Sequence, residues 1–91
     1  MTYRQRMEDK LRAAFAPVHL AIADDSARHA GHAGAREGGE THFKVLVVSD
    51  AFAGQSRVQR QRAVYSVLAA EIQERVQAIE LRALTPEEHR T

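Results

Sequence analysis

Cysteine is absent from this chain of 91 residues, which excludes a disulfide framework and any thiolate chemistry supplied by the chain itself. An excess of one charge is also lacking, because 13 lysines and arginines face 12 aspartates and glutamates. Because the two signs of charge are nearly equal in number, the chain has no general attraction to nucleic acid or membranes. Any electrostatic binding surface must therefore be local. No apolar run approaches the roughly 20 residues of a membrane span. We therefore expect a cytoplasmic protein without membrane association.

Catalytic groups and base-stacking rings are lacking as well. The adjacent Asp24 and Asp25 would point to opposite sides of a continuing strand, so they do not form a carboxylate dyad. No nucleophile can be paired with a general base, and we expect the chain not to be an enzyme. Three phenylalanines, two tyrosines and no tryptophan give too few rings for a platform that stacks single-stranded bases. The N-terminus leads into a charged helix instead of the apolar core of a signal peptide.

Hydrophobic periodicity divides the chain, whose length fits one domain over residues 1–91, into six elements. Residues 24–40 hold four of the five glycines and almost no large apolar residue, so we expect a flexible loop over about 25–40. The tail over about 86–91 should fray. The patterns predict helices over 2–16 and 57–76, strands over 18–23, 41–49 and 77–83, and a short final helix opened by a capping box at Thr85 and Pro86.

The order of these elements is α-β-β-α-β-α. The first two strands follow each other directly, so we expect them to pair antiparallel. The second and third strands are joined through a helix, so we expect a parallel pair with a right-handed crossover. The predicted fold is therefore a single α+β domain with a three-stranded mixed sheet and helices packed on one face. Its core should contain the apolar residues that recur at helical or strand spacing and face inward. They are Leu11, Phe15, Leu20, Ile22, Phe43, Val45, Val47, Val64, Leu68, Ile72, Ile79 and Leu81. We also expect Phe52 to be buried beneath the turn after the second strand.

A turn and a basic helix start over residues 54–62 form the first candidate binding site. Backbone N–H groups and the helix dipole at such a start favour an anion, and Arg57, Arg60 and Arg62 add positive charge nearby. A KH domain grips nucleic acid with a Gly-x-x-Gly loop, but only Gly54 is present here. The missing second glycine favours the alternative, a solvated helix start whose arginine stems lie over apolar surface. Any nucleic-acid binding should then be weak and depend largely on the three arginines.

Five short motifs occur along the chain in a specific order and spacing. They are Asp24-Asp25-Ser26 with His29, Glu40 to Val45, Val48 to Gly54, Arg60-x-Arg62-x-Val64-Tyr65-x-x-Leu68, and Ala78-Ile79-x-Leu81-x-x-Leu84-Thr85-Pro86. Together they cover nearly the whole chain and resemble the BolA family of small proteins with a class II KH-like fold. The resemblance implies docking to a monothiol glutaredoxin, with a [2Fe-2S] cluster held by glutaredoxin cysteine, glutathione and BolA histidine. It also implies nucleic-acid binding with a regulatory role in growth, stress and cell shape.

Two histidines of that family are replaced by glutamine here. The family's Arg-His-Arg on the long helix is Arg60-Gln61-Arg62, and its histidine at the start of the last strand is Gln77. A neutral amide oxygen is a poor ligand for soft or borderline metals. The loop residues His29, which matches a family position, and His32 remain as candidate metal ligands, with ordinary solvated histidines as the alternative. Gln61 also falls in the apolar arc of its helix, where we expect it to be buried or half-buried and hydrogen-bonded.

These observations favour an adaptor that docks a monothiol glutaredoxin and modulates or shares its [2Fe-2S] cluster, with no cofactor of its own. The alternative is a nucleic-acid-binding transcriptional regulator that uses the surface from Gly54 to Arg62 and has DNA as its partner. We expect a monomer or a weak homodimer in either case. Salt dependence separates the two functions, because phosphate binding through arginines weakens steeply with salt and a docked protein interface responds less.

Overall fold

The computed structural model describes residues 1–26 and 39–90, and the predicted order of helices and strands is confirmed there. The candidate ligands His29 and His32, and most of the loop expected to be flexible, lie outside these described residues. The elements are α1 (Tyr3–Phe15), β1 (His19–Asp24), β2 (His42–Val48), a 3₁₀ turn (Asp50–Phe52), α2 (Arg57–Val67), α3 (Ala69–Glu74), β3 (Ala78–Leu84) and α4 (Pro86–Arg90).

The sheet has the predicted mixed pairing. Its strand order is β1-β2-β3, with β1 antiparallel and β3 parallel to β2. Val47 of the central strand stands beside Leu20 on one side and Ala83 on the other. A strand with this many apolar residues on one face has its register fixed by burial of that face. Among the strands of residues 1–26 and 39–90, only β2 is paired on both edges, so β3 has an edge that no described strand pairs.

The predicted helix over 57–76 is two helices in the structure. They meet at Leu68, whose φ of −99° and ψ of 14° depart from helical values, although its N–H still donates to Val64 O at 3.1 Å. The surrounding residues 66–69 include neither proline nor glycine, so the sequence carries no local signal for the break. Both Leu68 on the break and Glu71 beyond it are fully buried, and the change of direction brings α3 into contact with α1.

The core lies between the helices and one face of the sheet, as predicted. The fully or nearly fully buried apolar side chains are Met7, Leu11, Ile22, Phe43, Val45, Val47, Val48, Phe52, Val64, Leu68 and Val76. The other predicted core residues pack against this cluster and are partly buried. Phe52 plugs the turn as expected, with its ring centroid 5.0 Å from that of Phe15.

The predicted burial of Gln61 is wrong. Its side chain is exposed, and Val58 on the same helix is 53% exposed. The first turns of α2 extend past the part of the helix that covers the core, and the first fully buried residue of α2 is Val64. Apolar residues at helical spacing therefore predict the buried face only for the part of the helix that lies over the sheet.

A network of charged side chains joins α1 to α3. The carboxylate of Glu71, which is fully buried, lies 2.7 Å from Lys10 Nζ and 2.9 Å from Arg6 Nη2. Arg6 also pairs with the exposed Glu74 at 3.0 Å. Burial alone would raise the pKa of Glu71, but the hydrogen bond from Lys10 and the two positive charges hold that pKa below its ordinary value.

Candidate nucleic-acid and partner interface

The turn before α2 is built by Ser49 and Gly54. Ser49 Oγ accepts a hydrogen bond from Ala51 N at 3.0 Å and donates one to Phe15 O at 2.6 Å, which ties the turn to α1. Gly54 has a φ of +77°, a backbone conformation that residues with a side chain rarely adopt. A methyl group built there would meet no atom within 4 Å. Gly54 is therefore required by the backbone conformation, and not by a close approach of any described group.

The start of α2 is closed by a capping box between Ser56 and Gln59. Ser56 Oγ accepts from Gln59 N at 3.1 Å, and Gln59 Oε1 accepts from Ser56 N at 2.8 Å. The N–H of Arg60 donates to Ser56 O. Two of the first four backbone donors of the helix, those of Ser56 and Gln59, thus have partners within the chain, which leaves fewer of them for an external anion than the sequence suggested.

The structure separates the three arginines that the sequence grouped together. Arg60 has a side chain that is only 12% exposed, and it binds Gln55 O, Ala83 O and the carboxylate of Glu88. Arg57 and Arg62 are exposed. Arg57 and Arg60 line one groove, whereas Arg62 borders a separate shallow depression.

The groove of about 660 Å³ lies between α2 and β3. Its α2 side is formed by Gln55, Arg57, Arg60, Gln61 and Tyr65, and its β3 side by residues 79–84, with Glu88 at one end. Arg82 supplies an exposed cation on the β3 side that the sequence motifs did not single out. Strand alternation could have found it, because Ile79 and Leu81 face the core and Arg82 must then face away.

The free edge of β3 forms the floor of this groove. Ala78 N and Leu84 O are hydrogen-bonded towards β2, so the backbone groups of the alternate residues point away from the sheet. Tyr65 Oη donates to Ile79 O at 3.2 Å. Arg60 Nη1 donates to Ala83 O at 3.0 Å. Side chains of α2 thus bind two outward carbonyls of the strand and hold α2 beside it.

Glu88 is the acidic group nearest to Arg60. Its oxygens lie 2.6 Å from Nη1 and 3.3 Å from Nη2, and Oε1 also accepts from Thr85 N at 2.8 Å. The hydrogen bond from Arg60, followed by that from the Thr85 backbone, lowers the pKa of Glu88 to about 2. The predicted capping box at Thr85 is confirmed, since Thr85 Oγ1 accepts from Glu88 N at 3.2 Å.

The described residues do not fit the family's metal-ligand pattern. Gln77 is exposed, and its backbone N–H donates to Thr41 O at 2.7 Å. A neutral amide at this position does not suit an iron–sulfur cluster, which is held by thiolate or imidazole. Within residues 1–26 and 39–90, no three histidine, aspartate or glutamate side chains are grouped so that they could hold a metal ion.

The other histidines make local contacts. His42 Nδ1 lies 2.9 Å from Thr41 Oγ1. The rings of His19 and His89 stack with centroids 5.3 Å apart, so that α4 is held against β1. In the described part of the chain, no helix combines the length and the apolar character needed to cross a membrane.

The sheet, its helices and the groove between α2 and β3 define a small α+β domain. Residues 11–88 match the family model for BolA-like proteins. The chain belongs to the BolA family, which confirms the resemblance carried by its motifs.

Relatives and solved structures agree with this assignment. The chain is similar to the DNA-binding transcriptional regulator BolA of Escherichia coli K12, with 47% identity over 88 residues that cover 97% of this chain and 80% of that protein. It is 42% identical to SufE-like protein 1 of Arabidopsis thaliana, covering 91% of this chain but only 24% of that longer protein. The solved BolA domain of SufE1 from Arabidopsis thaliana matches it with a TM-score of 0.87 and 40% identity over 97% of this chain and 96% of that one.

Proposed function

We propose that this chain is a non-catalytic regulator that holds single-stranded nucleic acid in the groove between α2 and β3. The observation that carries the proposal is the pair Arg57 and Arg82, which extend from opposite sides of the groove. Of the groove's carboxylates, Glu88 is bound to Arg60 at 2.6 Å, whereas Glu80 lies 3.9 Å from Lys44. Within the residues that the structure describes, no acidic partner lies within 4.0 Å of Arg57 or Arg82.

The size of the groove suits a short stretch of one strand. Its volume is about 660 Å³, and one helix and one strand border it. KH domains also bind the backbone of single strands, although they do so through a Gly-x-x-Gly loop, of which only Gly54 is present here. The E. coli relative, 47% identical, carries the name of a DNA-binding regulator, which supports the same class of ligand.

The test is a titration of a fluorescent single-stranded DNA oligonucleotide, followed by anisotropy at several salt concentrations. Each of Arg57→Gln and Arg82→Gln should weaken binding and lower the salt slope by roughly 0.7, the value for one lost phosphate contact on a single strand. Arg12→Gln is the matched control, because this exposed arginine pairs with Glu8 on α1 and does not line the groove. Equal slopes for all three variants would place the binding site elsewhere.

Docking to a monothiol glutaredoxin is the second candidate function. A mostly apolar depression of about 240 Å³ lies at the start of β3, and it is lined by Tyr65, Ile72, Val76, Gln77, Ala78 and Ile79. It contains Gln77, the position where the family resemblance places a histidine. A pull-down with cluster-loaded glutaredoxin, followed by the visible absorption spectrum of the complex, tests this function. Such a complex should persist at salt concentrations that release DNA.

A further inference from the structure

The short helix α4 places a carboxylate on an arginine of the proposed binding groove. Glu88 contacts Arg60 with both oxygens, at 2.6 Å to Nη1 and 3.3 Å to Nη2. Its own side chain is 47% exposed, whereas that of Arg60 is 12% exposed. The ion pair therefore shields the arginine, and solvent still reaches the carboxylate.

The donors of Arg60 are almost fully used. The N–H on Nε binds Gln55 O, Nη1 binds Ala83 O and Glu88, and Nη2 binds Glu88. A guanidinium has five N–H donors in a planar fork that fits carboxylate and phosphate groups alike. Glu88 thus occupies the side of Arg60 that a phosphate would otherwise bind.

The way α4 is attached allows this carboxylate to be displaced. The helix has five residues, Pro86–Arg90, and follows directly after the last strand. Besides the Arg60 contact, its attachments include the capping box, in which Glu88 Oε1 itself accepts from Thr85 N at 2.8 Å, and the stacking of His89 on His19. Moving the Glu88 carboxylate away from Arg60 would also break the bond from Thr85 N, but it would break no hydrogen bond between the strands. Gln55 and Ala83 would still orient the guanidinium towards the groove.

We propose that Glu88 is a built-in anionic competitor, which occupies Arg60 and thereby limits the binding of phosphate-bearing strands in the groove. This inference rests on the nucleic-acid function proposed above. It predicts that Arg60 contributes little to binding in the natural chain and contributes fully once Glu88 is neutralised. The alternative role for the pair is a structural one, in which Glu88 only fastens α4 to α2.

The experiment is a double-mutant cycle on Arg60 and Glu88 with the same single-stranded DNA probe. Glu88→Gln should tighten binding roughly tenfold, equivalent to about 1.4 kcal/mol. It should also increase the salt slope by roughly 0.7, as expected for one added phosphate contact. Arg60→Gln alone should change affinity little, and Arg60→Gln combined with Glu88→Gln should lose the whole gain.

Glu87→Gln is the matched control. It removes the same charge from the same exposed helix, and Glu87 has no contact with Arg60. Equal tightening by Glu87→Gln and Glu88→Gln would reduce the effect to net charge and overturn the inference. Persistence of the gain in the double variant would overturn it too, because the gain would not pass through Arg60.

The remaining outcomes separate this inference from the proposed function. If Arg57→Gln weakens binding but Glu88→Gln leaves it unchanged or weakens it, then Glu88 only fastens α4, and the groove function still stands. If no variant binds the probe, both proposals fail.

Thermal unfolding of each variant checks that it is folded. Glu88→Asp, which keeps the charge but shortens the reach to Arg60, provides a second test should the glutamine variant not fold, and it should tighten binding by a smaller factor.

Discussion

Lys10 on α1 and Glu71 on α3 form an ion pair in which Nζ lies 2.7 Å from Oε2, and the carboxylate has no exposed surface. Arg6 Nη2 lies 2.9 Å from the same oxygen, Oε2. A buried carboxylate is costly without such partners, and two cations with several hydrogen bonds offset that cost here. The position of α3 therefore depends on charged residues near the N-terminus as well as on apolar packing.

Glu71→Gln should lower the free energy of unfolding by about 3 kcal/mol, near the low end for breaking a buried ion pair. The low end applies because Arg6 and Lys10 are partly exposed and water can hydrate them once the carboxylate is gone. Urea unfolding measures the loss. Glu74→Gln is the control, since this exposed partner of Arg6 should contribute far less than the buried Glu71. Equal losses for the two variants would contradict the structural role assigned to Glu71.

The same pair should make stability depend on pH in the acid range. The folded protein holds the pKa of Glu71 below its ordinary value of 4.5. The stabilisation is therefore complete above that value and is lost as the pH falls through the lower folded pKa. The difference in unfolding free energy between the natural chain and Glu71→Gln should stay constant from neutral pH down to about 4.5 and then shrink. A difference that grew on acidification would show that burial, and not the ion pair, dominates.

Two apolar residues of the predicted helix over 57–76 should respond very differently to truncation. Leu68→Ala should cost about 2–5 kcal/mol, because Leu68 is fully buried at the junction of α2 and α3. Val58→Ala should cost less than about 0.5 kcal/mol, because that side chain is 53% exposed. Urea unfolding of both variants measures the contrast. A loss below half a kilocalorie for Leu68→Ala would mean that the inward face of this helix is assigned wrongly.

Local patterns were sufficient to predict the strands and their pairing. Phe43, Val45 and Val47 alternate on one face of β2, and a one-residue slip in register would turn all three away from the core. The capping box at Thr85 was equally visible, because its residues are adjacent in sequence. Where structure depends on neighbouring residues along the chain, the sequence was a reliable guide.

Features that depend on distant partners were not predictable in this way. Glu71 is buried only because α1 brings Arg6 and Lys10 to it across the fold. Likewise, the three arginines of α2 look alike in sequence, and what distinguishes Arg60 is Glu88, 28 residues further along the chain. The groove itself depends on α2 lying beside the free edge of β3, which no motif encodes.

The position of Gln77 gives the sharpest test of the second candidate function. The chain has no cysteine, and the family resemblance places a cluster-binding histidine where Gln77 stands. Gln77→His should tighten a [2Fe-2S] cluster shared with a monothiol glutaredoxin, because imidazole is a better ligand for iron than a neutral amide. The visible absorption spectrum of the complex should shift towards mixed histidine and cysteine ligation. Gln73→His, on the exposed face of α3, is the control for adding a histidine nearby.

His29 and His32, the candidate metal ligands predicted from the sequence, complete this test. We expect the cluster in the complex of the unsubstituted chain to be wholly thiolate-ligated or only loosely shared, because Gln77 stands where the family resemblance places a histidine. Exchanging both histidines for alanine should therefore change its spectrum little or remove a weak histidine component. A strong mixed-ligand spectrum that survives both exchanges would mean that another residue binds the cluster, and the histidine positions inferred from the family would not apply to this chain.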